Sequence, residues 1–217
     1  MKRAIIICVL LANTALAYEA FQGPTELLYW DKTQTCDGYT FFGVRGTSYL
    51  VDMEGRVVHT WPVGTNPHLL DNGNVLDASA DDPSGFGGFK EVDWNGLSVW
   101  SYTEARSNYI PHHDFVRIFN PKLGTNTTLY IANKSVSYSE CIAVGCNPAS
   151  GPYTNGQMDA IVEVDMTGNI VWEWAFFDHL VQNYDVSKSN YVTSISNYPG
   201  RLDVNLPGRP VQRDWLH

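Results

Sequence analysis

The chain has 217 residues, of which 44% are hydrophobic and 17% charged, and its formal net charge is −9. This size and composition fit one or two globular domains with a sizeable core. The acidic balance argues against nucleic acid and anionic membrane surfaces as partners. Aromatic residues make up 13% of the chain and Gly and Pro are frequent, which is typical of an all-β protein with many turns.

The first 17 residues are predicted to be a secretory signal peptide. Lys2 and Arg3 precede an apolar run at 4–12, and residues 15–17 offer the small residues of a cleavage site. The run is too short to span a membrane, and a buried N-terminal strand is the alternative. We therefore expect a secreted or extracellular protein, or a periplasmic one in a Gram-negative bacterium. Cleavage would remove two cations and no acidic residue, which moves the net charge from −9 to −11.

The cysteine content agrees with export to an oxidising compartment. Cys141 and Cys146 are close enough in sequence to close a small disulfide ring. Cys36 is then either a buried free thiol or a residue whose partner is not in this chain. No His or Cys partners for a zinc site lie nearby, so we expect no metal and no other cofactor. Asn126 and Asn133 begin glycosylation sequons, which are used only if the source is a eukaryote.

One ten-residue pattern occurs three times, with Asp first, Gly three residues later, Val after six and an aromatic residue after nine. The copies occupy residues 52–61, 93–102 and 165–174. The first two begin 41 residues apart, about one propeller blade, and the third begins 72 residues further on, a blade plus an insertion. Each copy is predicted to form a hairpin, near 49–61, 89–102 and 160–174, with the Asp capping the turn and the Gly at positive φ.

The repeat predicts an all-β fold, specifically a β-propeller with about three blades over residues 49–217, preceded by an N-terminal segment at 18–48. The stretches 138–154 and 186–213 are predicted to be long loops on one face of the propeller. Three blades cannot close a ring, because propellers have four to eight. We therefore expect the chain to be the N-terminal part of a roughly doubled protein with six blades. Two half-propeller chains that dimerise are the alternative.

Histidines recur between the hairpins, at His68, at His112 and His113, and at His217. In a four-stranded blade, the strand that follows the outer hairpin of the previous blade is the innermost one, so these histidines should gather around the central channel. Neighbouring residues of a strand point to opposite faces, so only one of His112 and His113 is expected to face the channel.

The hairpins, the segment Pro111-His112-His113-Asp114-Phe115 and the segment Asp214-Trp215-Leu216-His217 together resemble the arylsulfotransferase family. The resemblance covers about residues 49–217 and the N-terminal half of that family's secreted or periplasmic propeller. It implies transfer of a sulfuryl group from an aryl sulfate to a phenol, two small-molecule partners, through a sulfohistidine and without a nucleotide donor. The family's last motif continues with an Asn, and its nucleophilic His and an Arg lie further downstream. None of these has a counterpart here, so the 217-residue chain alone is expected to be inactive.

The resemblance also implies roles for individual residues. His217 is the first candidate for donating a hydrogen bond to a sulfate oxygen. His113 or His112 is the next candidate for this role, with Asp114 as a group that orients His113. Trp215 would stack on the aryl ring. His68 matches by repeat position, although a structural role at a blade joint is its favoured interpretation. A non-catalytic secreted propeller that binds ligands stays open as an alternative function, and a quinone-dependent dehydrogenase is a third that the histidine motifs do not favour.

Overall fold

The computed structural model describes residues 27, 29–78, 87–150 and 155–205. The predicted signal peptide at 1–17 lies outside these ranges. The described chain is mostly β-strand with one α-helix, which confirms the predicted all-β class. The strands form several antiparallel sheets, and no sheet in the described ranges closes on itself.

Three antiparallel sheets follow one another along the chain. The first sheet contains β1 (Tyr39–Val44), β2 (Thr47–Asp52) and β3 (Val57–Trp61). The second sheet contains β4 (His68–Leu69), β5 (Val75–Asp77), β6 (Gly88–Val92) and β7 (Ser98–Thr103). The third sheet contains β8 (Tyr109–Asn120), β9 (Thr125–Ser137), β10 (Asn155–Asp165) and β11 (Ile170–Ala175). Each is a simple meander, because strands that neighbour in sequence also pair in space.

The remaining elements cover one end of the third sheet. Helix α1 (Tyr138–Ala143) follows β9, and β12 (Leu180–Val181) pairs in parallel with β13 (Leu202–Asp203). Short 3-10 helices lie at Pro148–Ser150, Phe176–His179 and Ile195–Asn197. Helix α1, β12 and the residues that follow α1 and β13 share one apolar cluster with the long ends of β9 and β10, formed by Val136, Cys141, Cys146, Met158, Leu180 and Val204.

Apolar side chains join each sheet to the next. The first and second sheets share a core of Leu50, Trp61, Val63, Val75 and Val92. The second and third sheets share a larger core made of Leu76, Phe89, Tyr102, Tyr109, Phe115, Tyr130, Ala132, Ala160, Val162, Val164 and Ala175. Burial of this apolar area supplies most of the stabilisation, at about 25 cal/mol per Å².

The three copies of the repeat form three hairpins with the same turn. In each, the Oδ1 atom of the leading Asp accepts backbone N–H bonds from the residues two and four positions later, at 2.8–2.9 Å. The glycines adopt φ values of 81°, 78° and 88° at Gly55, Gly96 and Gly168. Only glycine adopts this conformation without a steric cost, which explains its place in the pattern.

The hairpins also share a β-bulge just after the turn, in which the Val six residues after each Asp is the extra residue. The register shifts between Leu50 and Val51 in the first, between Glu91 and Val92 in the second, and between Glu163 and Val164 in the third. A bulge adds local twist. The repeat therefore specifies both the turn and the twist of the strands that enter it.

A second periodic contact locks neighbouring sheets together. The side chain seven residues after the Asp of one hairpin donates to the carbonyl oxygen of the residue that follows the Asp of the next hairpin. His59 Nε2 bonds to the Trp94 carbonyl at 2.7 Å, and Trp100 Nε1 bonds to the Met166 carbonyl at 3.0 Å. The His59 ring also stacks on Trp94 with centroids 3.9 Å apart. This sheet lock, as we call the contact below, fixes the order and lateral position of the three sheets.

We predict that Asp165→Ala destabilises the protein by about 1 kcal/mol, because the turn loses its acceptor. Burial alone would raise the pKa of Asp165, but hydrogen bonds from Thr167 and Asn169 outweigh it and hold this pKa at about 2. The unfolded value is near ~3.9. The contribution is therefore complete above about pH 4 and is lost as the pH falls towards 2.

Urea unfolding at pH 6 and pH 3 would measure both effects. Asp165→Asn keeps an acceptor oxygen without the titration, so its loss of stability between the two pH values should be smaller than that of the unmodified protein. Asp37→Ala, at an exposed position, is the matched control. An Asp165→Ala protein as stable as this control would contradict the role given to the turn.

Candidate functional site

A cavity of about 320 Å³ lies between the second and third sheets, at the end of β6 remote from its hairpin. Its lining includes two of the predicted site residues. The lining residues are Thr65, Asn66, Ala78, Gly88, Phe89, Pro111, His112, His113 and Phe115. The walls are therefore largely apolar and aromatic, with a few polar groups, which is the usual character of a small-molecule site.

Both histidines face this cavity because β8 is irregular at this point. Pro111 pairs with Ala132 and Phe115 with Tyr130, so the three residues 112–114 lie opposite Ile131 alone. The bulge breaks the two-residue alternation of the strand. The alternation that predicted only one of the pair at a central channel therefore does not apply to this stretch of β8, and the position of the two residues relative to such a channel stays a prediction.

The bulge places His113 in an unusual backbone conformation. Its φ is 56°, in the left-handed region that costs an L-residue about 1–2 kcal/mol. The His112 and His113 ring centroids are 4.9 Å apart, with their planes at 73°. Backbone strain of this kind persists only where the surrounding structure enforces it, and it is concentrated at functional sites.

A carboxylate on β10, which is separated from β8 by β9 in the same sheet, fixes one of the two rings. His112 Nε2 lies 3.0 Å from Asp159 Oδ1, and the two side chains are only 10% and 15% exposed. In the neutral ring, a proton on Nε2 donated to Asp159 leaves the lone pair on Nδ1. An imidazole held in this way is suited to act as a nucleophile, or as a cationic donor once it is protonated.

The opposite wall of the cavity is organised by Asp77, which is fully buried at the end of β5. Its carboxylate accepts three backbone N–H bonds, from Gly64 at 2.9 Å, Thr65 at 3.1 Å and Asn66 at 2.7 Å. Asn66 Nδ2 in turn donates to the His113 carbonyl at 2.8 Å. The loop before β4 is thus tied to both the second and the third sheet.

His68 lies outside the cavity that holds the other two histidines. It lines a separate groove of about 520 Å³ together with residues such as Arg117. Its Nε2 is 3.6 Å from Asp114 Oδ1, and its ring lies 4.6 Å from the Phe115 ring. Asp114 is therefore placed beside His68 across the sheets, which agrees with a structural role for His68 at this joint.

The remaining predicted site residues are not brought to the cavity by the described structure. His217 and Trp215 lie outside the described residues. Asn126 is exposed on β9, whereas Asn133 is half-buried and its carboxamide oxygen is fully buried, so only Asn126 is presented openly. Glycosylation at either position stays a prediction.

The two cysteines predicted to pair lie against each other at the end of α1. Cys141 and Cys146 are buried thiols in the same apolar cluster, and the Cys146 backbone N–H donates to the Cys141 carbonyl at 3.0 Å. The neighbouring Cys141 thiol and burial raise the pKa of the Cys146 thiol. The fold thus brings the two sulfur atoms together, and the disulfide itself stays a prediction. Cys36 is exposed, so the alternative that it is a buried thiol is wrong.

Two residues of the site, Asp77 and Asp159, were not predicted from the sequence. Each is an acidic residue next to apolar ones, since Asp77 follows Val75 and Leu76, and Asp159 lies between Met158 and Ala160. A buried charge in such a strand needs a partner, which is a signal that can be recognised in the sequence. The identity of the partner depends on how the strands and sheets pair.

The described residues hold no group of three or more His, Cys, Asp or Glu side chains arranged to bind a metal ion. Within the same ranges, no helix has the length and apolar character needed to cross a bilayer.

We predict that Asp77→Ala destabilises the protein by about 3 kcal/mol, because three buried N–H groups lose their acceptor. Asp77→Asn, which keeps one acceptor oxygen, should cost less. Urea unfolding measures both, with Asp71→Ala at an exposed position as the control. Asp77→Ala unfolding at the same urea concentration as the control would show that Asp77 does not hold this loop.

Comparison with known proteins gives no relative on which to base a function. The chain matches no model of a protein family, and no curated protein is significantly similar to it.

Proposed function

We propose that the chain is part of a secreted, arylsulfotransferase-like β-propeller. We further propose that the cavity beside His112 and His113 binds the sulfate group of an aryl sulfate. The observation that carries the proposal is the convergence of both imidazoles on one cavity, with Asp159 holding the first of them. The resemblance in sequence is the basis for the reaction class, and the two imidazoles at this cavity support its proposed location.

The propeller architecture is supported by three features of the described sheets. They are antiparallel meanders in chain order, they pack through shared cores, and each ends in the same hairpin. Radial repetition of such sheets is the arrangement of a propeller. A ring of six sheets would place the starts of β4 and β8 nearest the axis, because these strands are the innermost of their sheets.

The cavity suits the two ends of an aryl sulfate. Phe89, Pro111 and Phe115 offer apolar surface for the aromatic ring, and the two imidazoles lie where an anion would need donors. In sulfuryl transfer, the S–O bond to the aryl group breaks as sulfur bonds to a histidine nitrogen, and the phenolate leaves and takes up a proton. An acceptor phenol then loses its proton and attacks sulfur, which releases the histidine.

Charge on the sulfate oxygens is what the described residues would stabilise. Positioned donors act on charge that develops in the transition state, and loss of one typically costs about 10²–10³ in rate. We assign His112 and His113 this donor role, and the resemblance implies that the nucleophile is a histidine outside residues 1–217. Asp159 acts on the reaction only through His112, as a positioning residue.

We predict that the 217-residue chain binds 4-nitrophenyl sulfate but releases no 4-nitrophenolate. His112→Ala and His113→Ala should each weaken binding by at least about tenfold, because each removes a charge-assisted hydrogen bond. Isothermal titration calorimetry measures the affinity, and absorbance at the nitrophenolate band measures turnover.

The matched control is His179→Ala, since His179 stacks on Trp174 away from the cavity. An uncharged analogue, 4-nitroanisole, should not compete. Binding that is absent, or that survives both cavity variants, would rule out the assignment. Turnover by the 217-residue chain itself would contradict the assignment of the nucleophile to another part of the protein.

A further inference from the structure

The contact between the second and third sheets includes a cradle for one arginine. Glu91 and Trp100 are cross-strand neighbours on β6 and β7. Arg117 of the third sheet bonds to Glu91 Oε2 at 2.6 Å, and its guanidinium lies 4.4 Å from the centre of the Trp100 ring. Trp100 makes the sheet lock to Met166 at the same place. One glutamate and one tryptophan thus hold both a cation and a carbonyl of the next sheet.

The same pair recurs on the far face of the third sheet. Glu163 and Trp172 are cross-strand neighbours on β10 and β11, two residues before and seven residues after Asp165, as Glu91 and Trp100 are placed around Asp93. Glu163 Oε1 accepts hydrogen bonds from Thr127 at 2.6 Å and from Asn120 at 2.7 Å. Glu91 Oε1 is held in the same way by Asn74 at 2.7 Å.

The two pairs differ only in what lies against them. Glu163 is 7% exposed and Trp172 is 46% exposed. Among the described residues, no cation lies within ion-pair distance of Glu163, and no acceptor receives the Trp172 Nε1 proton. In the described ranges, only one oxygen of the Glu163 carboxylate is hydrogen-bonded, and no cation neutralises its charge. Burying such a carboxylate costs free energy unless a cation pairs with it.

The surface around this pair is a groove of about 480 Å³ that suits a protein surface. It is lined by Leu123, Leu129 and Trp172, and the exposed Val116 lies on the same face. Leu123 is 48% exposed. Large apolar side chains grouped on one sheet face mark an interaction site.

We propose that this face binds a further β-sheet of the same repeat. Its hairpin would present the carbonyl of the residue after its Asp to Trp172 Nε1, and its innermost strand would bring an arginine or lysine to Glu163 and to the face of the Trp172 ring. The proposal extends the sheet lock, which occurs twice in the described structure, and the arginine cradle, which occurs once. It rests on the proposed propeller architecture and is independent of the sulfate chemistry.

The first sheet of a second copy of this chain does not fit the role. A Cβ atom on Gly96 would lie 2.8 Å from Pro62 of the preceding sheet, and one on Gly55 would lie 2.9 Å from Leu27. The N-terminal segment therefore occupies, beside the first hairpin, the place of a preceding sheet. The first sheet also has three strands in the described ranges, without the innermost strand that carries Arg117 in the third sheet.

The test places a photo-cross-linking residue, p-benzoylphenylalanine, at position 123 of the protein made in its natural host. Leu123 is exposed and lines the groove, so this change leaves Glu163 and Trp172 in place. After irradiation, mass spectrometry identifies the peptide joined to residue 123. We expect a peptide that carries an Asp-x-x-Gly hairpin, or the innermost strand of the same sheet, and that does not come from residues 1–217.

Variants then test the two contacts within the same experiment. Glu163→Gln and Trp172→Phe should each lower the cross-linking yield by about fivefold, because each removes one interfacial hydrogen bond or ion pair. Glu54→Gln and Trp30→Phe, at positions away from this face, should leave the yield unchanged. Circular dichroism checks that every variant is folded.

Three results would overturn the proposal. They are a cross-link to residues 1–217 of a second copy, a cross-link to a peptide from a protein without the repeat, and no cross-link at all. Full yield from folded Glu163→Gln and Trp172→Phe variants would overturn the assignment of the contacts.

Discussion

The order of the sheets depends on one hydrogen bond that recurs between them, from the side chain seven residues after each Asp to the first carbonyl of the next turn. The turn makes this bond available. Within the turn, Asp Oδ1 accepts the backbone N–H groups of the residues two and four positions later. The carbonyl oxygen of the residue that follows the Asp is then available to accept a hydrogen bond from the neighbouring sheet. Each bond is worth only about 1 kcal/mol. Its importance is positional, since apolar packing alone does not select one lateral register.

The fixed position of the second and third sheets in turn defines the cavity. Asp77 ties the loop before β4 to the second sheet, Asn66 ties that loop to His113, and Asp159 ties His112 to β10. The strained backbone at His113 is held between these attachments. The two imidazoles thus lie on the third sheet and are held by attachments from both sheets, whose relative placement is set by the sheet lock on the side of the hairpins.

The sequence was sufficient to predict the features that are local. The spacing of Asp and Gly specifies a turn because the hydrogen bonds that hold the turn join residues close in sequence, as in residues 93–97. The two histidines were expected at the start of an inner strand, and the structure has them on β8. The direction of their side chains was not predictable. Neighbouring side chains point to opposite faces only in a regular strand, and β8 has a bulge opposite Ile131.

Side-chain contacts between strands and between sheets were not predictable from the sequence, for a related reason. Asp159 meets His112 only because β8, β9 and β10 pair in a particular register, and Asp114 meets His68 only because two sheets pack at a particular height. Neither register is encoded by the spacing of residues within one strand. The recurrent pair of Glu and Trp around each later Asp was visible in the sequence, but its meaning required one observed example, with Arg117 between the two side chains.

The central claim is that His112 and His113 share one cavity that accepts an anion. Histidine side-chain NMR of the isotopically labelled protein, titrated with phenyl sulfate, tests it most directly. The account predicts that the imidazole signals of His112 and His113 both shift with a single saturation curve, while those of His59 and His179 stay in place. A shift of only one of the pair, or equal shifts of all four, would contradict it.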